Sequence, residues 1–296
     1  MKPSGIIVPI VTPIDSNEQV DYAALRQLIS HLIDQGIHGI FPHGTTGEFY
    51  ALTEDEYTEI LLVAKDEIAG RVPMFAGASH ITARSVKKQI RVCEKVGVDA
   101  LAILTPMFIS QTQNELYAFY KSMAEETDLP ITLYNNPPKT GINIAPETVA
   151  KLSEIKNIVA VKDSSANMIN TAEYIRLTRG NDSFNVLMGS DNLIFAALCY
   201  GATGAIASCA NVVPKQTADI YDKFMAGDTA GALEAQFNIA PMRIASAELG
   251  SFPAAVKEGV CMQGINAGKC YDPVAGLTEA EKSKLRDILI EMGLKI

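Results

Sequence analysis

The chain has 296 residues, of which 48% are hydrophobic and 20% are charged, a composition typical of an ordinary globular protein with a large buried core. Lysine and arginine total 25 and aspartate and glutamate total 34, so the formal charge of −9 has the wrong sign for binding nucleic acid or an anionic membrane surface. The five cysteines form no Cys-x-x-Cys pair, which indicates free thiols and a cytoplasmic location.

Eight short apolar runs alternate along the chain with longer segments of helical period. Most of the runs are apolar on successive residues, which is the pattern of parallel strands buried on both faces. The first intervening segment, 22–35, has leucines and isoleucines three and four residues apart and predicts an amphipathic helix. The predicted strands are 5–12, 39–42, 73–78, 100–104, 131–135, 158–162, 186–189 and 204–208.

Several residues predict where helices begin and end. Thr53 and Glu56 have the spacing of a capping box at the start of the second helix. Pro146 is suited to the first turn of a later helix, because its missing N–H would have no partner there. Glycines such as Gly36 and Gly97 follow helical segments and predict helix ends.

Repeated strand–helix units of this kind predict an α/β fold in which eight parallel strands close a (β/α)8 TIM barrel. An open doubly wound sheet is the alternative, but residues 15–18 after the first strand lack the glycine-rich turn of nucleotide-binding sheets. We predict a catalytic barrel over residues 1–226. Helical segments at 230–248, 254–262 and 278–292 predict a C-terminal helical extension, residues 227–296, packed on the barrel.

The end of the sixth strand carries an unusual lysine. In a (β/α)8 barrel the reacting groups lie at the C-terminal ends of the strands. Lys162 follows four apolar residues at such an end, and burial favours the neutral form of an amine, which can attack a carbonyl carbon. Lys162 is therefore a candidate nucleophile. The alternative is a lysine that reaches solvent or pairs with Asp163.

Two other strand ends carry candidate groups. Tyr134 ends the fifth strand, where a hydroxyl can pass protons, although a buried tyrosine is more often structural. The loop 44–47 combines two threonines with glycines, whose backbone N–H groups can bind a carboxylate. We interpret His43 as structural, and Glu48 either as a general base or, in the interpretation that we favour, as a structural residue that binds N–H groups of the loop. The four histidines lack metal-ligand spacing and no nucleotide-binding loop occurs, so we predict neither a metal nor a separate cofactor.

The motifs GTTGE at 44–48, LYNNPPKTG at 133–141, IVAVKDSS at 158–165, GSD at 189–191 and GATGAIAS at 201–208 form an ordered set along the whole chain. In this order and spacing they resemble the dihydrodipicolinate synthase and N-acetylneuraminate lyase family of pyruvate-dependent class I aldolases. The resemblance implies that the substrates are a 2-oxo acid, pyruvate, and an aldehyde. It also implies a homotetramer.

The resemblance further assigns roles to individual residues. It implies that Lys162 forms a covalent Schiff base with the 2-oxo acid, that Tyr134 transfers protons and that Thr45 extends the hydroxyl relay. A second group is implied to bind the substrate: Thr46, Gly47, Lys139, Gly189 and Ile206. Within this group, Thr46 and neighbouring N–H groups are expected to hold the carboxylate, and Ile206 is expected to pack on the oxo acid.

The sequence departs from the pattern of the synthases in three ways. Met107 and Phe108 replace their two consecutive tyrosines, so one hydroxyl of the relay is missing. Lys139 replaces an arginine and lacks its bidentate fork, and Phe49 follows Glu48 as in sugar-acid aldolases of the family.

These departures favour an aldolase or lyase acting on 2-keto-3-deoxy sugar acids, 4-hydroxy-2-oxoglutarate or N-acetylneuraminate. The alternative within the family is dihydrodipicolinate synthase, which condenses pyruvate with aspartate semialdehyde. A third hypothesis, from another class, is a non-catalytic sensor that binds a 2-oxo acid. The presence of both Lys162 and Tyr134 argues against the sensor, because reversible binding needs neither a reactive amine nor a proton relay.

Overall fold

Eight parallel strands form the centre of the protein in a computed structural model that describes residues 2–296. In the barrel order β2-β1-β8-β7-β6-β5-β4-β3, the first strand pairs with the eighth, and a single parallel bridge from Ile40 to Met74 connects β2 with β3. The predicted (β/α)8 barrel is therefore confirmed. The strands are β1 (Gly5–Pro9), β2 (Gly39–Phe41), β3 (Phe75–Gly77), β4 (Ala100–Leu104), β5 (Ile131–Asn135), β6 (Ile158–Asp163), β7 (Asn185–Met188) and β8 (Gly204–Ile206).

Five strands end earlier than predicted: β2, β3 and β7 by one residue, and β1 and β8 by two or more, where side-chain and local hydrogen bonds replace the strand pairing. β1 ends at Pro9, and the amide of Asn211 binds the Pro9 carbonyl and the Val11 N–H at 3.0 and 3.1 Å. β8 ends at Ile206, because residues Ser208–Asn211 form a turn of 3-10 helix. The same asparagine therefore joins the ends of the first and last strands.

The helices between and after the strands begin and end where the sequence signals predicted. Thr53 caps α2 in a capping box with Glu56, Pro146 begins α6, and Gly97 ends α3 with a φ of 77°. None of the helices in the described residues is long and apolar enough to cross a membrane. They are α1 (Tyr22–Asp34), α2 (Glu54–Ile68), α3 (Ala83–Val96), α4 (Gln113–Ala124), α5 (Pro137–Thr140), α6 (Pro146–Leu152), α7 (Met168–Thr178), α8 (Ile194–Tyr200), α9 (Pro214–Met225), α10 (Thr229–Asn238), α11 (Ala240–Glu248), α12 (Ala254–Met262) and α13 (Glu279–Glu291).

The C-terminal part differs from the prediction in one respect. The helical segment predicted at 230–248 is two helices, α10 and α11, which meet at Ile239. Pro241 lies in the first turn of α11 and has no N–H with which to continue the hydrogen bonding of α10, so the two segments are separate helices. The predicted boundary at 226 lies in the turn between α9 and α10, and the division into a barrel and an extension stays a prediction.

The apolar core has two layers, because successive side chains of a strand point to opposite faces. Ile7 points into the barrel, where a small cluster includes Phe41 and Ile206. Its neighbours Ile6 and Val8 point outward into the larger core between strands and helices. Side chains that point inward at the C-terminal strand ends consequently face the mouth of the barrel.

Candidate active site

A cavity of about 430 Å³ lies at the C-terminal ends of the strands. Its wall combines residues that follow β2, β5, β6, β7 and β8 with side chains of helix α11. A larger cavity of about 740 Å³ lies near the start of β7 and at Thr203 just before β8, and is therefore at the opposite end of the strands. The reacting groups of barrel enzymes lie at the C-terminal ends, which favours the smaller cavity as the active site.

Lys162 and Tyr134 face each other in the barrel, because they are direct neighbours in the parallel register of β5 and β6. Lys162 is 4% exposed, and its Nζ lies 3.8 Å from the centroid of the Tyr134 ring and 5.4 Å from that of Phe41. Within residues 2–296 no carboxylate lies within 4.0 Å of this Nζ. The alternative of a solvent-reaching lysine therefore does not describe the structure.

Asp163 does not pair with Lys162, because its carboxylate points away from the barrel interior toward α7. Oδ1 accepts hydrogen bonds from Asn135 Nδ2 and the Ser165 N–H, both at 3.0 Å. Oδ2 accepts from Thr171 Oγ1 at 2.7 Å and from Asn170 Nδ2 at 3.1 Å. The buried acid fixes the end of β6 and leaves the lysine amine free for a ligand.

The hydroxyl of Tyr134 has two neighbours at 3.1 Å, Thr45 Oγ1 and Asn136 Nδ2. Burial alone would raise the pKa of Tyr134, but the positive charge of Lys162 and the hydrogen bonds from Thr45 and Asn136 lower it below its usual value. The phenol is thus prepared to exchange a proton. Asn136 lies inside the motif at 133–141, but no role was predicted for it.

The loop after β2 presents unused donors to the cavity. Thr45 and Thr46 both line it, and Thr46 is 3% exposed. Among the described residues, no acceptor takes the backbone N–H of either threonine. Gly47 does not line the cavity, since its N–H donates to the Gly44 carbonyl at 3.0 Å and its carbonyl accepts from Thr12 Oγ1 at 2.7 Å. The donors available to a carboxylate are therefore those of the two threonines.

Glu48 and His43 have structural surroundings. The buried carboxylate of Glu48 accepts hydrogen bonds from Lys257 Nζ at 3.0 Å and from the Tyr271 N–H at 2.9 Å. His43 stacks on Tyr57 with 4.0 Å between ring centroids, and burial lowers the pKa of His43 to about 3. The imidazole is neutral at physiological pH. The role of Lys257 has no signal in the sequence, because 209 residues separate it from Glu48.

Gly189 and Ile206 both line the cavity. The Gly189 N–H donates to the Asp163 carbonyl at 2.8 Å, and a Cβ atom at this position would collide with Ser164 Oγ. Gly189 is therefore a point of close approach between the ends of β6 and β7. Ile206 is 1% exposed and provides an apolar surface between the barrel interior and the cavity.

The mouth of the cavity carries Lys139 and three residues that were not predicted, Arg243, Ser246 and Phe252. Lys139, on α5, is exposed and its Nζ lies 5.9 Å from the centroid of the Phe252 ring. Arg243 and Ser246 reach the mouth from α11. Arg243, Ser246 and Phe252 follow the barrel in the chain and lie outside the strand ends from which the site was predicted. Nothing in their local sequence indicates a place at the site.

One further prediction concerns metal ions and cofactors. Among residues 2–296 no cluster of three or more His, Cys, Asp or Glu side chains is arranged to hold a metal ion. The expectation that the protein uses neither a metal nor a separate cofactor stays a prediction.

Phe108, which replaces a relay tyrosine of the synthases, is 87% exposed with a φ of 80° and does not line the cavity.

The sequence profile of the Dihydrodipicolinate synthetase family matches residues 2–292. The chain belongs to this family. The match confirms the resemblance seen in the motifs, and with it the enzyme class: a lyase or synthase with aldolase-type chemistry at a C–C bond.

Relatives of similar length cover nearly the whole chain. The 4-hydroxy-tetrahydrodipicolinate synthase of Nitratidesulfovibrio vulgaris strain DP4 is 35% identical over 99% of this chain and 100% of its own length. The enzyme of the same name from Geotalea uraniireducens is 36% identical, over 98% and 99% of the two chains.

Solved structures of the family have the same fold. The dihydrodipicolinate synthase of Thermotoga maritima superposes with a TM-score of 0.95 at 29% identity, covering 99% of each chain. A prophage protein of the dihydrodipicolinic acid synthase family from E. coli K12, solved in complex with pyruvate, gives a TM-score of 0.94 at 26% identity, again over 99% of each chain.

Proposed function

We propose that this family member is a pyruvate-dependent class I aldolase or lyase that forms a Schiff base between Lys162 and the C2 carbonyl of a 2-oxo acid. The observation that carries the proposal is the buried amine of Lys162, which has no carboxylate partner in the described residues and lies against Tyr134 at a ligand-sized cavity. The pyruvate complex of the prophage relative supports the choice of oxo acid.

The first step is formation of the iminium. The Lys162 ammonium gives up a proton and attacks C2 of the oxo acid with the freed electron pair, and the resulting carbinolamine loses its oxygen as water. Both events move protons, and the Tyr134 hydroxyl, in contact with Thr45, is the proton donor and acceptor beside the amine. The free N–H groups of Thr45 and Thr46 hold the substrate carboxylate.

The second step uses the iminium as an electron sink. Its positive charge stabilises the electron pair left at C3 when a C3 proton is lost or the C3–C4 bond breaks, and the product is an enamine. In the synthetic direction, the enamine carbon adds to the carbonyl carbon of an aldehyde. In the cleavage direction, the C4 hydroxyl loses its proton as the aldehyde leaves, the enamine gains a proton at C3 to restore the iminium, and hydrolysis of that iminium releases pyruvate and the free lysine.

Borohydride trapping tests this proposal directly. Reduction in the presence of pyruvate should add the mass of a reduced pyruvyl group to the peptide that contains Lys162. Lys162→Ala should give no adduct, whereas Lys95→Ala, which changes an exposed lysine of α3, should be modified like the wild type. An unmodified wild-type protein, or an adduct retained in Lys162→Ala, would exclude the mechanism.

A second candidate within the family is 4-hydroxy-tetrahydrodipicolinate synthase. The names of the relatives from Nitratidesulfovibrio vulgaris and Geotalea uraniireducens favour it. The lysine at position 139 and the exposed Phe108 favour an aldolase of another specificity. Initial rates with pyruvate and aspartate semialdehyde, compared with cleavage of 4-hydroxy-2-oxoglutarate, N-acetylneuraminate and 2-keto-3-deoxygluconate, distinguish the two. Fast turnover of aspartate semialdehyde would identify a synthase.

We also propose a homotetramer located in the cytoplasm. A patch of exposed apolar side chains supports an oligomer, and we call it the rim patch: Tyr50, Ile81, Phe108 and Ile109, which are 55, 51, 87 and 63% exposed. Oligomeric state varies among similar structures, since one with 29% identity and a TM-score of 0.95 is described as the first monomeric dihydrodipicolinate synthase variant. The five free cysteines accord with a reducing compartment.

A further inference from the structure

Helix α11 brings to the mouth of the cavity a cation that the Schiff-base chemistry does not use. Arg243 is half-buried and lines the cavity. Within residues 2–296, no acidic side chain lies within 4.0 Å of its guanidinium, and the guanidinium has no hydrogen-bond partner. Five donors without an acceptor are unusual for a half-buried arginine, because burial removes part of their hydration. The arrangement is therefore complete only when a ligand supplies the acceptor.

Asp191 is the one carboxylate in the cavity wall, and other donors already occupy it. Oδ1 accepts a hydrogen bond from the Ser208 N–H at 3.2 Å. Oδ2 accepts from Ser208 Oγ at 2.9 Å and from the Cys209 N–H at 2.8 Å. These bonds fix Asp191 to the turn after β8, so it does not serve as the direct partner of Arg243.

The charges in the cavity wall are opposite in sign to those of the whole chain. Lys139, Lys162 and Arg243 line the cavity together with a single carboxylate, on a chain with a net charge of −9. A cleft lined by one sign of charge concentrates ligands of the other sign. The cavity therefore selects anions, and it has more cationic groups than one carboxylate needs.

Arg243 and the two threonines of the loop after β2 lie on different sides of the cavity. Helix α11 packs against the turns that follow β7 and β8, whereas Thr45 and Thr46 follow β2. In the barrel order, β1 lies between β2 and β8. The proposed function assigns the carboxylate beside the reacting carbon to the threonine N–H groups, which leaves Arg243 for a different group of the substrate.

We infer that Arg243 binds a second carboxylate, at the end of the substrate remote from the 2-oxo group, with Lys139 as an additional cation at the mouth. The inference rests on the proposed function and narrows it. The favoured substrates are dicarboxylic 2-oxo acids, and the aldehyde partner carries a carboxylate of its own. A planar guanidinium suits this role because it binds both carboxylate oxygens through parallel N–H groups. A neutral polyhydroxy aldehyde would leave that charge without a partner.

The test uses adduct formation on Lys162, so it does not depend on knowing the aldehyde. 2-Oxoglutarate and 2-oxopentanoate have the same number of carbons and differ in the terminal carboxylate. We measure the concentration of each that gives half-maximal borohydride trapping. The wild type should reach half-maximal trapping at a concentration of 2-oxoglutarate about 10- to 100-fold lower than that of 2-oxopentanoate, as expected for hydrogen bonds between charged groups.

Substitutions assign that preference to the arginine. Arg243→Met should abolish the preference for 2-oxoglutarate while the trapping of pyruvate stays within about twofold of the wild type, because the reacting end is unchanged. Arg243→Lys should retain part of the preference for 2-oxoglutarate. Arg286→Met, which removes an exposed arginine of α13 that does not line the cavity, should leave the preference intact.

The contrary outcomes are distinct from one another. Equal trapping of the two acids by the wild type would overturn the second carboxylate site and leave the Schiff base standing. If Arg243→Met weakens the trapping of pyruvate, 2-oxopentanoate and 2-oxoglutarate equally, the arginine only balances the charge of Asp191. That outcome would also overturn the second carboxylate site. Failure of the wild type to trap pyruvate would overturn the proposed function itself.

Discussion

The chemistry at the residue scale depends on Lys162 and Tyr134 sharing one level of the barrel. The two residues are direct neighbours on β5 and β6, and both lie at the carboxyl ends of these strands. The lysine provides the attacking electron pair, and the tyrosine manages protons with the help of Thr45 and Asn136. These four side chains form the reactive part of the site, and only the first two were identifiable from the chemistry of their residue types.

Tyr134→Phe should lower kcat by roughly 10²- to 10⁴-fold, the usual contribution of a general acid–base group. The phenyl ring still fills its place beside Lys162, so the protein should fold, and its thermal midpoint is the control. Steady-state turnover and the rate of borohydride trapping with pyruvate measure the effect. A variant that retains more than about a tenth of the wild-type kcat would contradict the role of the hydroxyl in proton transfer.

Asn136→Leu should raise the pKa of Tyr134. The amide of Asn136 donates to the phenol oxygen, which stabilises the negatively charged form more than the neutral one, so its loss disfavours ionisation. Ultraviolet titration of phenolate formation, with the curve of Tyr134→Phe subtracted, isolates this tyrosine. The titration midpoint should shift to higher pH in Asn136→Leu and in Thr45→Val. An unchanged or lower midpoint would show that these hydrogen bonds do not set the pKa.

At the scale of elements, the C-terminal part of the chain holds the loop after β2 in place. Lys257 on α12 and the backbone of Tyr271 both bind the carboxylate of Glu48, which directly follows the loop 44–47. Lys257 is 1% exposed and Glu48 is fully buried. The adjacent threonines therefore depend for their position on an ion pair with a helix outside the barrel.

Lys257→Met should lower the free energy of unfolding by about 3–5 kcal/mol, because it leaves the Glu48 charge buried without its partner. The double variant Glu48→Gln with Lys257→Met should recover much of this loss, because it removes both charges. Urea unfolding of the two single variants and the double variant measures the coupling. Purely additive losses would show that the ion pair does not link α12 to the loop.

At the scale of the whole molecule, the rim patch predicts how copies of the chain associate. Large exposed apolar areas on a soluble protein mark interaction surfaces. The patch adjoins a further cavity, lined by Tyr50, Ile81 and Met107, at the start of α2 and the turn after β3. Burial against another copy would remove this apolar surface from water.

Light scattering should give the mass of a tetramer, four times 31.9 kDa. Phe108→Asp should shift the protein toward smaller species, because it would place a charge in the buried contact. Leu233→Asp, at another exposed apolar position, on α10, is the matched control and should leave the mass unchanged. A monomeric wild type would contradict the homotetramer, and an unaffected Phe108→Asp would exclude the rim patch as the contact.

Features that depend on neighbours in the chain were predictable. The strand runs, the capping box at Thr53 and the lysine at the end of β6 are local patterns, and the structure has each of them. The helix predicted at 230–248 was wrong as one element, although Pro241 carried the local signal for a break. The place of Gly47 at the substrate stays a prediction, because its N–H donates to the Gly44 carbonyl and its own carbonyl accepts from Thr12 Oγ1.

The sequence by itself determined the eight strand–helix units, the family and the residues at the ends of the strands, because the periodicity of burial and the order of motifs are written along the chain. Only the tertiary structure decided that Lys257 binds Glu48, that Asn136 binds Tyr134 and that Arg243 faces the cavity without an acidic partner. Those relations depend on distances between side chains brought together by folding, and no local pattern of residues encodes such distances.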